Sequence, residues 1–316
     1  MSVIALDLGG TKLASGLFSA DGELLKRSTE LLPAERGPAV GRMIADRALR
    51  LLEDHPKADA VSGVGICVPG IYRSQSRTVW APNIPGWEDY PLWEEVKQVV
   101  GDLEVYIDSD RACCILGEAW RGAARDCSDA IFVTVGTGIG AGILTGDRVL
   151  RGAQDIAGAI GWMALQGPYR SEYDQCGCYE HHASGEGIAK GARSILRANP
   201  AYAGPLAALP TESICASDVF AAYHTGEPVA RQVMEQVIRF WGMATANLIS
   251  IFNPEKVVYG GGVFGPAAAF IRQIREEAGR WAQPISMQHV KLELSQLGAD
   301  AGLYGAASLV LQSKRP

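Results

Sequence analysis

The apolar positions at the start of the chain predict a strand, a tight turn and a returning strand. Val3, Ile4 and Ala5 form a short apolar run, and residues 13–18 form the second run. Residues 7–12 between them read DLGGTK, where two adjacent glycines let the backbone approach a ligand closely. Residues 130–144, AIFVTVGTGIGAGIL, repeat this arrangement. We therefore expect two duplicated halves that face one another across a cleft.

Helices and strands alternate along the rest of the chain. Apolar residues at helical spacing predict helices over 37–53, 111–123, 184–197, 266–278 and 300–311, a short helix from 217–218, and a long core helix from 227–228 to 251–254. Apolar runs predict strands over 60–68, 103–110, 256–259 and 290–297, and proline-containing segments predict loops over 80–87 and 199–210. This alternation is typical of an α/β fold.

The composition fits a globular protein with neither a nucleic-acid nor a membrane partner. The 316 residues suffice for two domains or one large one, and 47% of them are apolar. A net charge of -6 argues against nucleic acid as the main partner. No basic segment followed by an apolar run opens the chain and no stretch is suited to span a bilayer, so neither a signal peptide nor a membrane segment is expected. Seven scattered cysteines indicate a reduced cytoplasmic protein, with Cys67, Cys113 and Cys114 as buried thiols.

The first glycine turn is a candidate phosphate site. The backbone N–H groups of Gly9 and Gly10 can surround an anion together with the Thr11 hydroxyl and the Lys12 ammonium group. Asp7, at the end of the preceding strand, is placed to hold a hydrated Mg²⁺. An ordinary hairpin turn explains this stretch equally well when it is taken alone, and its spacing does not match a Walker loop.

The second glycine turn strengthens the phosphate interpretation because it has the same design. Gly136 and Gly138 flank Thr137, again at the end of a predicted strand. One such turn is weak evidence, whereas two well-separated turns indicate a phosphate held between two halves. Three further glycines follow the strand at 256–259. Gly261 and Gly262 could let a flat ring approach the backbone, although a flexible turn explains them too.

Two carboxylates lie where a predicted strand meets a predicted helix. Asp110 stands at the junction, where it could cap the helix or take a proton from a substrate hydroxyl. Asp108 precedes it by two residues, and the sequence does not decide between the two. Asn83 lies in the stiff loop 80–87, where its amide suits a polyol or an Asx-turn.

Residues 167–186 contain a group of potential metal ligands. Cys176, Cys178, His181 and His182 fall within seven residues. C-x-C-x-x-H-H is not a common zinc spacing, and a closed site needs four converging ligands, so a metal here is the less favoured interpretation. Glu180 in the same segment could accept a hydrogen bond from a sugar hydroxyl.

Seven motifs occur in an order that resembles the ROK family of sugar kinases and repressors. They are DLGGTK (7–12), VPG (68–70), APNIPGW (81–87), Asp110 with LGE (116–118), GTGIGAG (136–142), NPE…GGGV (253–263) and LGADAGLYGAA (297–307). Each motif alone is modest, but together they extend over essentially the whole chain.

The resemblance implies an actin-like, ribonuclease-H-like α/β fold with two domains that close over the substrate. We expect an N-terminal domain of residues 1–115 and 300–316, to which the last helix returns, and a C-terminal domain of residues 116–299. The implied reaction is ATP-dependent phosphorylation of a sugar hydroxyl, usually the hexose 6-OH. ATP and Mg²⁺ are therefore the expected cofactors, and a small sugar the expected substrate.

The resemblance also assigns roles to residues that match the family motifs. Asp110 matches the catalytic aspartate that orients and deprotonates the hydroxyl, and Asp7 would help to hold Mg²⁺ through water. The other implied contacts are phosphate or nucleotide binding by Gly9, Gly10, Thr11, Lys12, Gly136, Thr137, Gly138, Gly261 and Gly262, and acceptor binding by Asn83, Ser109, Asp110, Trp162 and Glu180. Such a site supplies what phosphoryl transfer needs, namely positioning, charge neutralisation and a base.

The chain departs from the family pattern at the acceptor side. Ser109 stands where the family has asparagine, Ala159 where it has a sugar-binding glutamate and Trp162 where it has a histidine. Losing that glutamate and that histidine weakens discrimination on the anomeric side of the ring. We expect an acceptor other than plain glucose, such as an amino sugar, a substituted sugar or another polyol. Trp162 could stack on it, but a place in the core is the favoured interpretation for this side chain.

The family zinc motif is broken as well. It aligns onto Ser171, Tyr173 and Cys178, so two of its three cysteines and the histidine are missing together. We therefore expect no zinc site of the family type.

A sugar kinase is the leading hypothesis, and a homodimer is expected because chains of this kind usually form one. A ROK-type repressor is disfavoured because the phosphate turn begins at Asp7, which leaves no room for a preceding DNA-binding domain. An epimerase–kinase fusion is disfavoured because the chain lacks the extra domain. A protein that binds sugar or nucleotide without turnover stays open, because the acceptor pocket is altered at Ala159 and Trp162.

Overall fold

The computed structural model describes residues 1–54 and 61–313. Its strands are β1 (Ser2–Leu8), β2 (Lys12–Ser19), β3 (Leu24–Leu31), β4 (Val61–Val68), β5 (Ile71–Arg73), β6 (Thr78–Trp80), β7 (Glu104–Ser109), β8 (Ala130–Val135), β9 (Ile139–Thr145), β10 (Arg148–Val149), β11 (Lys256–Gly260) and β12 (Lys291–Leu294). Its α-helices are α1 (Pro38–Glu53), α2 (Leu92–Val100), α3 (Asp110–Arg121), α4 (Cys178–Ala183), α5 (Gly185–Ala198), α6 (Ala216–His224), α7 (Pro228–Phe252), α8 (Ile271–Ala278), α9 (Pro284–His289) and α10 (Ala301–Gln312).

Two five-stranded sheets have the same topology. The first has the order β3-β2-β1-β4-β7 and the second the order β10-β9-β8-β11-β12. In each sheet three consecutive strands form an antiparallel meander, a later strand pairs in parallel with its first strand, and another pairs in parallel with that later strand. The glycine turns join β1 to β2 and β8 to β9, at equivalent places in the two sheets. The duplication that the turns predicted is therefore present in the strand order.

The last helix, α10, packs on the first sheet, as expected. Its apolar residues join those of β1 and β2 in one buried cluster that includes Val3, Phe18 and Leu303. Close approach depends on glycine at both contacts: a Cβ on Gly65 of β4 would overlap the Ala306 carbonyl, and one on Gly305 would overlap the Cys113 carbonyl. The helix thus lies directly against β4 and α3.

Several element boundaries differ from the sequence prediction. The helix predicted over 266–278 is a 3-10 turn at Pro266–Phe270 followed by α8. The strand predicted over 290–297 ends at Leu294, because the chain then turns to donate hydrogen bonds from Ser295 and Leu297 to the Glu118 carboxylate. Residue 60, at the start of a predicted strand, lies outside the described residues.

Other elements were not predicted from the sequence. They include β3, the short hairpin β5–β6, and the helices α2 and α9. The strand β3 reads LLKRSTEL and is largely exposed, so it carries no apolar face for a pattern to reveal. None of the described helices is both long enough and apolar enough to cross a membrane.

Candidate active site

The first glycine turn presents two backbone donors to solvent. Gly9 N–H donates to the Lys12 carbonyl at 2.9 Å, and Leu32 N–H donates to the Thr11 carbonyl at 2.9 Å. Within the described residues the N–H groups of Gly10 and Thr11 have no acceptor, and both residues are exposed. Exposed, consecutive and unpaired N–H groups are suited to bind an anion.

The second turn repeats this geometry. Gly136 N–H donates to the Gly138 carbonyl at 2.9 Å, and Gly185 N–H donates to the Gly136 carbonyl at 2.8 Å. In the same part of the chain the N–H groups of Thr137 and Gly138 have no acceptor. Both turns thus use their first glycine to close the turn and leave the next two amides without an acceptor.

A cavity of about 550 Å³ adjoins the second turn. A Cβ on Gly262 would meet no atom within 4 Å, whereas Gly261 has a φ of +88° and its Cβ would overlap the Val135 carbonyl. Of the two predicted glycines, Gly262 therefore lines the cavity and Gly261 is required for packing. The other lining residues are Gly136, Thr137, Gly185, Glu186, Ala189, Cys215, Ala216, Ser217, Phe220, Val263 and Pro266.

Sequence reasoning missed the lining residues contributed by α5 and α6. One signal was available, because Ser184 precedes Gly185 and Glu186 in a pattern typical of a helix start. Ser184 Oγ does accept from Gly187 N–H at 3.1 Å and begins α5 there. The start of that helix is fixed against the second glycine turn by the bond from Gly185.

Asp110 is the first residue of α3, but it is not the residue that caps the helix. Ser109 is the N-cap, and its buried Oγ accepts from Ala112 N–H at 3.3 Å. Asp110 Oδ1 accepts from Arg111 N–H at 2.8 Å, and no side chain among the described residues donates a hydrogen bond to the Asp110 carboxylate. Burial raises the pKa of Asp110, and the Arg111 guanidinium partly opposes that rise. The carboxylate is thus available to a substrate.

Asp108 has a different environment, although it lies only two residues away. Its carboxylate forms an ion pair with Arg151 and accepts from Ser109 N–H at 2.8 Å. Burial raises its pKa, and Arg151 opposes that effect. The sequence left the choice between Asp108 and Asp110 open, and the contacts favour Asp110 as the carboxylate that can act on a ligand.

Asp7 lies at the end of β1, beside the first glycine turn. Burial raises the pKa of Asp7 to about 6, a hydrogen bond from the Cys67 thiol opposes this, and the charges of Asp110 and Asp300 add to it. A Cβ on Gly302 of α10 would lie 2.7 Å from the Asp7 carboxylate, so the carboxylate rests directly on that helix.

These carboxylates fit a hydrated divalent cation. The charges of Asp110 and Asp300 both raise the pKa of Asp7, yet within the described residues no cluster of three or more His, Cys, Asp or Glu side chains forms a ready set of direct ligands. Mg²⁺ commonly keeps several waters and takes only one or two carboxylates together with substrate phosphates. The donor set is therefore suited to a metal that arrives with a nucleotide.

The predicted acceptor residues lie in different surroundings. Asn83 is exposed in the turn closed by Ile84 N–H on the Ala81 carbonyl at 3.0 Å. Glu180 Oε2 accepts from Ile139 N–H at 2.6 Å, so this carboxylate is joined to the strand that follows the second turn. Burial raises the pKa of Glu180.

The prediction that Trp162 belongs to the core is wrong. Its side chain is 58% exposed and lines a cavity of about 630 Å³ with Tyr169 and Cys178. Ile160 in the same 3-10 turn is buried instead. The indole is therefore available to a ligand, which the sequence had treated as the less favoured case.

The cysteine and histidine group packs rather than converging on a common point. His182 stacks on Phe240 with ring centroids 4.5 Å apart and shares a hydrogen bond of 2.9 Å with the Tyr173 hydroxyl. Burial lowers the pKa of His182 to about 4. The Cys178 thiol is buried and lies 3.9 Å from the Gln166 carbonyl. Among the described residues, no three such side chains come together as a metal-binding group.

Comparison with known proteins identifies relatives along nearly the whole chain. A sequence model of the ROK family matches residues 3–313. A glucokinase from Thermotoga maritima is 32% identical over 315 residues, covering 98% of this chain and 97% of the relative. A xylose repressor from Caldicellulosiruptor bescii is 29% identical, with 98% of this chain and 78% of the repressor covered.

A solved structure agrees with the fold. The crystal structure of a ROK family glucokinase from Streptomyces griseus in complex with glucose and AMPPNP has a TM-score of 0.77 and 30% identity, covering 99% of this chain and 100% of that one. This likeness confirms the predicted actin-like, ribonuclease-H-like α/β fold. Because the family match extends over most of the chain, the protein belongs to the ROK family.

Proposed function

We propose that the protein is an ATP-dependent sugar kinase that transfers the γ-phosphate to a hydroxyl, with the 6-OH as the expected acceptor group. The observation that carries the proposal is the carboxylate of Asp110, at the carboxyl end of β7. It accepts from Arg111 N–H and forms no ion pair among the described residues. The relatives include both a glucokinase and a repressor, so family membership alone leaves the activity undecided.

The nucleotide occupies the second half in this proposal. Its adenosine lies in the cavity beside Gly262, and its phosphates extend past the unpaired amides of Thr137 and Gly138. The amides of Gly10 and Thr11 then meet the terminal phosphate from the other half, with Gly9 closing the turn and Lys12 beside it. The backbone donors are fixed before the nucleotide arrives, so little reorganisation accompanies the reaction.

Asp110 acts on the acceptor. Its carboxylate accepts the proton of the attacking hydroxyl as a bond forms to the γ-phosphorus and the bond to the ADP oxygen breaks. The raised pKa that burial gives this carboxylate makes it a better base than a solvated aspartate. Asn83 and Glu180 position the sugar, with Trp162 stacked on it and Ser109 held as the cap of α3.

Asp7 is the residue that would hold the metal, through water. Bound Mg²⁺ would neutralise charge on the phosphates. It would also offset the free-energy cost of ionising the buried Asp7 carboxylate, whose pKa is raised. Gly302 fixes the carboxylate against α10 and so sets where that charge lies.

The test is ADP release with ATP and Mg²⁺ across hexoses, amino sugars, N-acyl amino sugars, glycosides, sugar acids and inositols. Asp110→Asn should lower kcat by about 10²–10⁴-fold on any acceptor that the protein uses. Its ATP affinity, measured by calorimetry, should stay within threefold. Asp126→Asn is the matched control, since its carboxylate is 91% exposed and the residue lies in the connection between α3 and β8, outside both turns.

Turnover by Asp110→Asn close to that of the unchanged protein would refute the role of the base. An absence of turnover on every acceptor, with ATP binding intact, would instead support a protein that binds without reacting. The altered positions Ala159 and Trp162 would then be the first explanation to examine.

A further inference from the structure

The cavity that Trp162 lines has no other part in the proposed phosphoryl transfer. Its volume is about 630 Å³, and its walls come from residues of the segments 162–169 and 173–178. The two segments are joined by the bond from Tyr179 N–H to the Met163 carbonyl at 3.2 Å. Small-molecule sites commonly have about 300–1,000 Å³ and combine apolar and aromatic walls with a few polar groups. The size of this cavity is therefore that of a ligand site.

The walls of the cavity are aromatic with polar groups between the rings. Besides Trp162 they include Tyr169, whose side chain is 71% exposed and yet held at two places. Its hydroxyl donates to the Asp174 carboxylate, and its ring packs edge-on against the buried ring of Tyr173 with the centroids 6.1 Å apart. Gln166 adds an amide to the lining. Fixed aromatic rings beside an amide and a carboxylate suit a sugar ring or an aryl group, which offers a flat apolar face.

The cavity is continuous with the proposed acceptor site through Glu180. The Glu180 carboxylate accepts from Ile139 N–H at 2.6 Å, and its Oε2 would lie 2.9 Å from a Cβ on Gly161, the neighbour of Trp162. A Cβ on Gly177, at the start of the helix that carries Glu180, would overlap the Cα of Trp162. Glu180 and Trp162 are therefore adjacent, and the cavity opens beside them.

The proposed base lies near the same end of β9. Arg111 follows Asp110, and its Cδ would lie 2.8 Å from a Cβ on Gly140. Gly140 follows Ile139, the residue that holds Glu180. An acceptor bound between Asp110 and Glu180 therefore has the cavity on its Glu180 side, away from the base.

We propose that this cavity binds the aglycone of the acceptor, so that the sugar this kinase phosphorylates is a glycoside with an aryl group or a second sugar ring at its anomeric carbon. This inference rests on the proposed kinase function. With the 6-OH at Asp110, the anomeric carbon faces Trp162 and its substituent enters the cavity. A glycoside keeps its 6-OH, so the reacting group is unchanged.

The side chains beside the anomeric oxygen agree with a glycoside. Neither Ala159 nor Trp162 offers a hydrogen-bond acceptor, because an indole only donates. A free anomeric hydroxyl has a proton to donate and finds no acceptor in these two side chains. A glycosidic oxygen has no proton, and its lone pairs can accept from the indole N–H.

The test compares glucose, galactose and mannose with their methyl and phenyl glycosides in both anomeric forms, and glucose with cellobiose and maltose. The unchanged protein should have kcat/KM at least about tenfold higher for one phenyl glycoside or disaccharide than for its free sugar, and the methyl glycoside should gain less because it fills little of the cavity. Tyr169→Ala should raise KM for the preferred glycoside about five- to tenfold, with kcat for it and kcat/KM for the free sugar within about threefold. Tyr169→Phe should restore the affinity, because it keeps the ring.

Trp281→Ala serves as the matched control, because its exposed indole does not line this cavity. A preference of the unchanged protein for a free sugar, or for an N-acetyl amino sugar, over every glycoside would overturn the inference while leaving the kinase function intact. Equal losses on glycoside and free sugar in Tyr169→Ala would also overturn it, since they indicate a purely structural ring. If Tyr169→Ala does not fold, the order of the free, methyl and phenyl acceptors in the unchanged protein decides. Silence on all acceptors would refute the kinase function itself.

Discussion

Replacing Asp7 by asparagine should stabilise the metal-free protein while it abolishes activity. Burial raises the pKa of Asp7 from its ordinary value of 3.8 to about 6. Since a tenfold change in proton affinity corresponds to about 1.4 kcal/mol, the ionised carboxylate lowers the free energy of unfolding by about 3 kcal/mol at neutral pH. Asparagine has nearly the same shape and carries no charge, so it avoids this cost.

The sign of the pH dependence follows from which state binds the proton more tightly. A carboxyl whose pKa is higher in the folded state holds its proton there after the unfolded chain has lost it. The free energy of unfolding should therefore fall between about pH 4 and pH 6 and stay low above pH 6. Burial also raises the pKa of Asp108, Asp110 and Glu180, and these groups act in the same direction.

Urea unfolding in EDTA at pH 4.5 and pH 8 measures the effect. Asp7→Asn should exceed the unchanged protein by about 3 kcal/mol at pH 8 and by much less at pH 4.5, with the same dependence on urea. Saturating Mg²⁺ with a nucleotide analogue should stabilise the unchanged protein at pH 8 and stabilise Asp7→Asn less. The exposed Asp126→Asn should change neither quantity.

Equal or lower stability of Asp7→Asn at pH 8 would refute the argument. It would mean that the carboxylate is compensated in the folded protein, by solvent or by the Cys67 thiol, and that no energy is stored for a metal. Activity retained by Asp7→Asn would separately refute its role beside the phosphates.

Two further predictions concern a buried carboxylate and a pair of glycines. Glu118 is fully buried and accepts hydrogen bonds from Ala123 N–H, Ser295 Oγ and Leu297 N–H. Glu118→Ala should therefore lower the free energy of unfolding by about 3–5 kcal/mol, and Glu118→Gln should lower it by less. Equal melting temperatures of both variants and the unchanged protein would contradict this. Gly262→Val should raise KM for ATP at least tenfold without unfolding the protein, because its side chain enters an open cavity. Gly261→Ala should instead lower the melting temperature. Nucleotide titration and calorimetry measure the two effects, and a destabilised Gly262→Val with an unaffected Gly261→Ala would contradict the prediction.

The fold was predictable because its informative residues are local. A DLGGTK or GTGIG turn depends only on a few neighbouring residues, and two of them at strand ends already indicate duplicated sheets. The two sheets do share one strand order, although the third strand of the first sheet, β3, was not predicted. The proposed base was only partly predictable, since the choice between Asp108 and Asp110 depended on Arg151, which lies 43 residues beyond Asp108 in the chain. A contact between residues so far apart in the sequence cannot be inferred from a local pattern.

The lining of the cavity beside the second glycine turn was missed for the same reason. Glu186 and Phe220 reach it from two helices whose sequences look like ordinary amphipathic helices. What brings the first helix there is one backbone bond, from Gly185 N–H to the Gly136 carbonyl at 2.8 Å. Backbone bonds of this kind place no demand on side-chain type, so residue identity does not reveal them.

Trp162 shows how an apolar run can mislead. Residues 159–163 read AIGWM, and a continuous apolar run normally indicates burial. The segment forms a 3-10 turn, in which residues three apart share one side. Ile160 is buried and Met163 packs on the same core, so Trp162 between them points outward and is 58% exposed. Burial in the core, the interpretation that competed with stacking on an acceptor, therefore no longer applies, and the indole is exposed, as the proposed stacking requires.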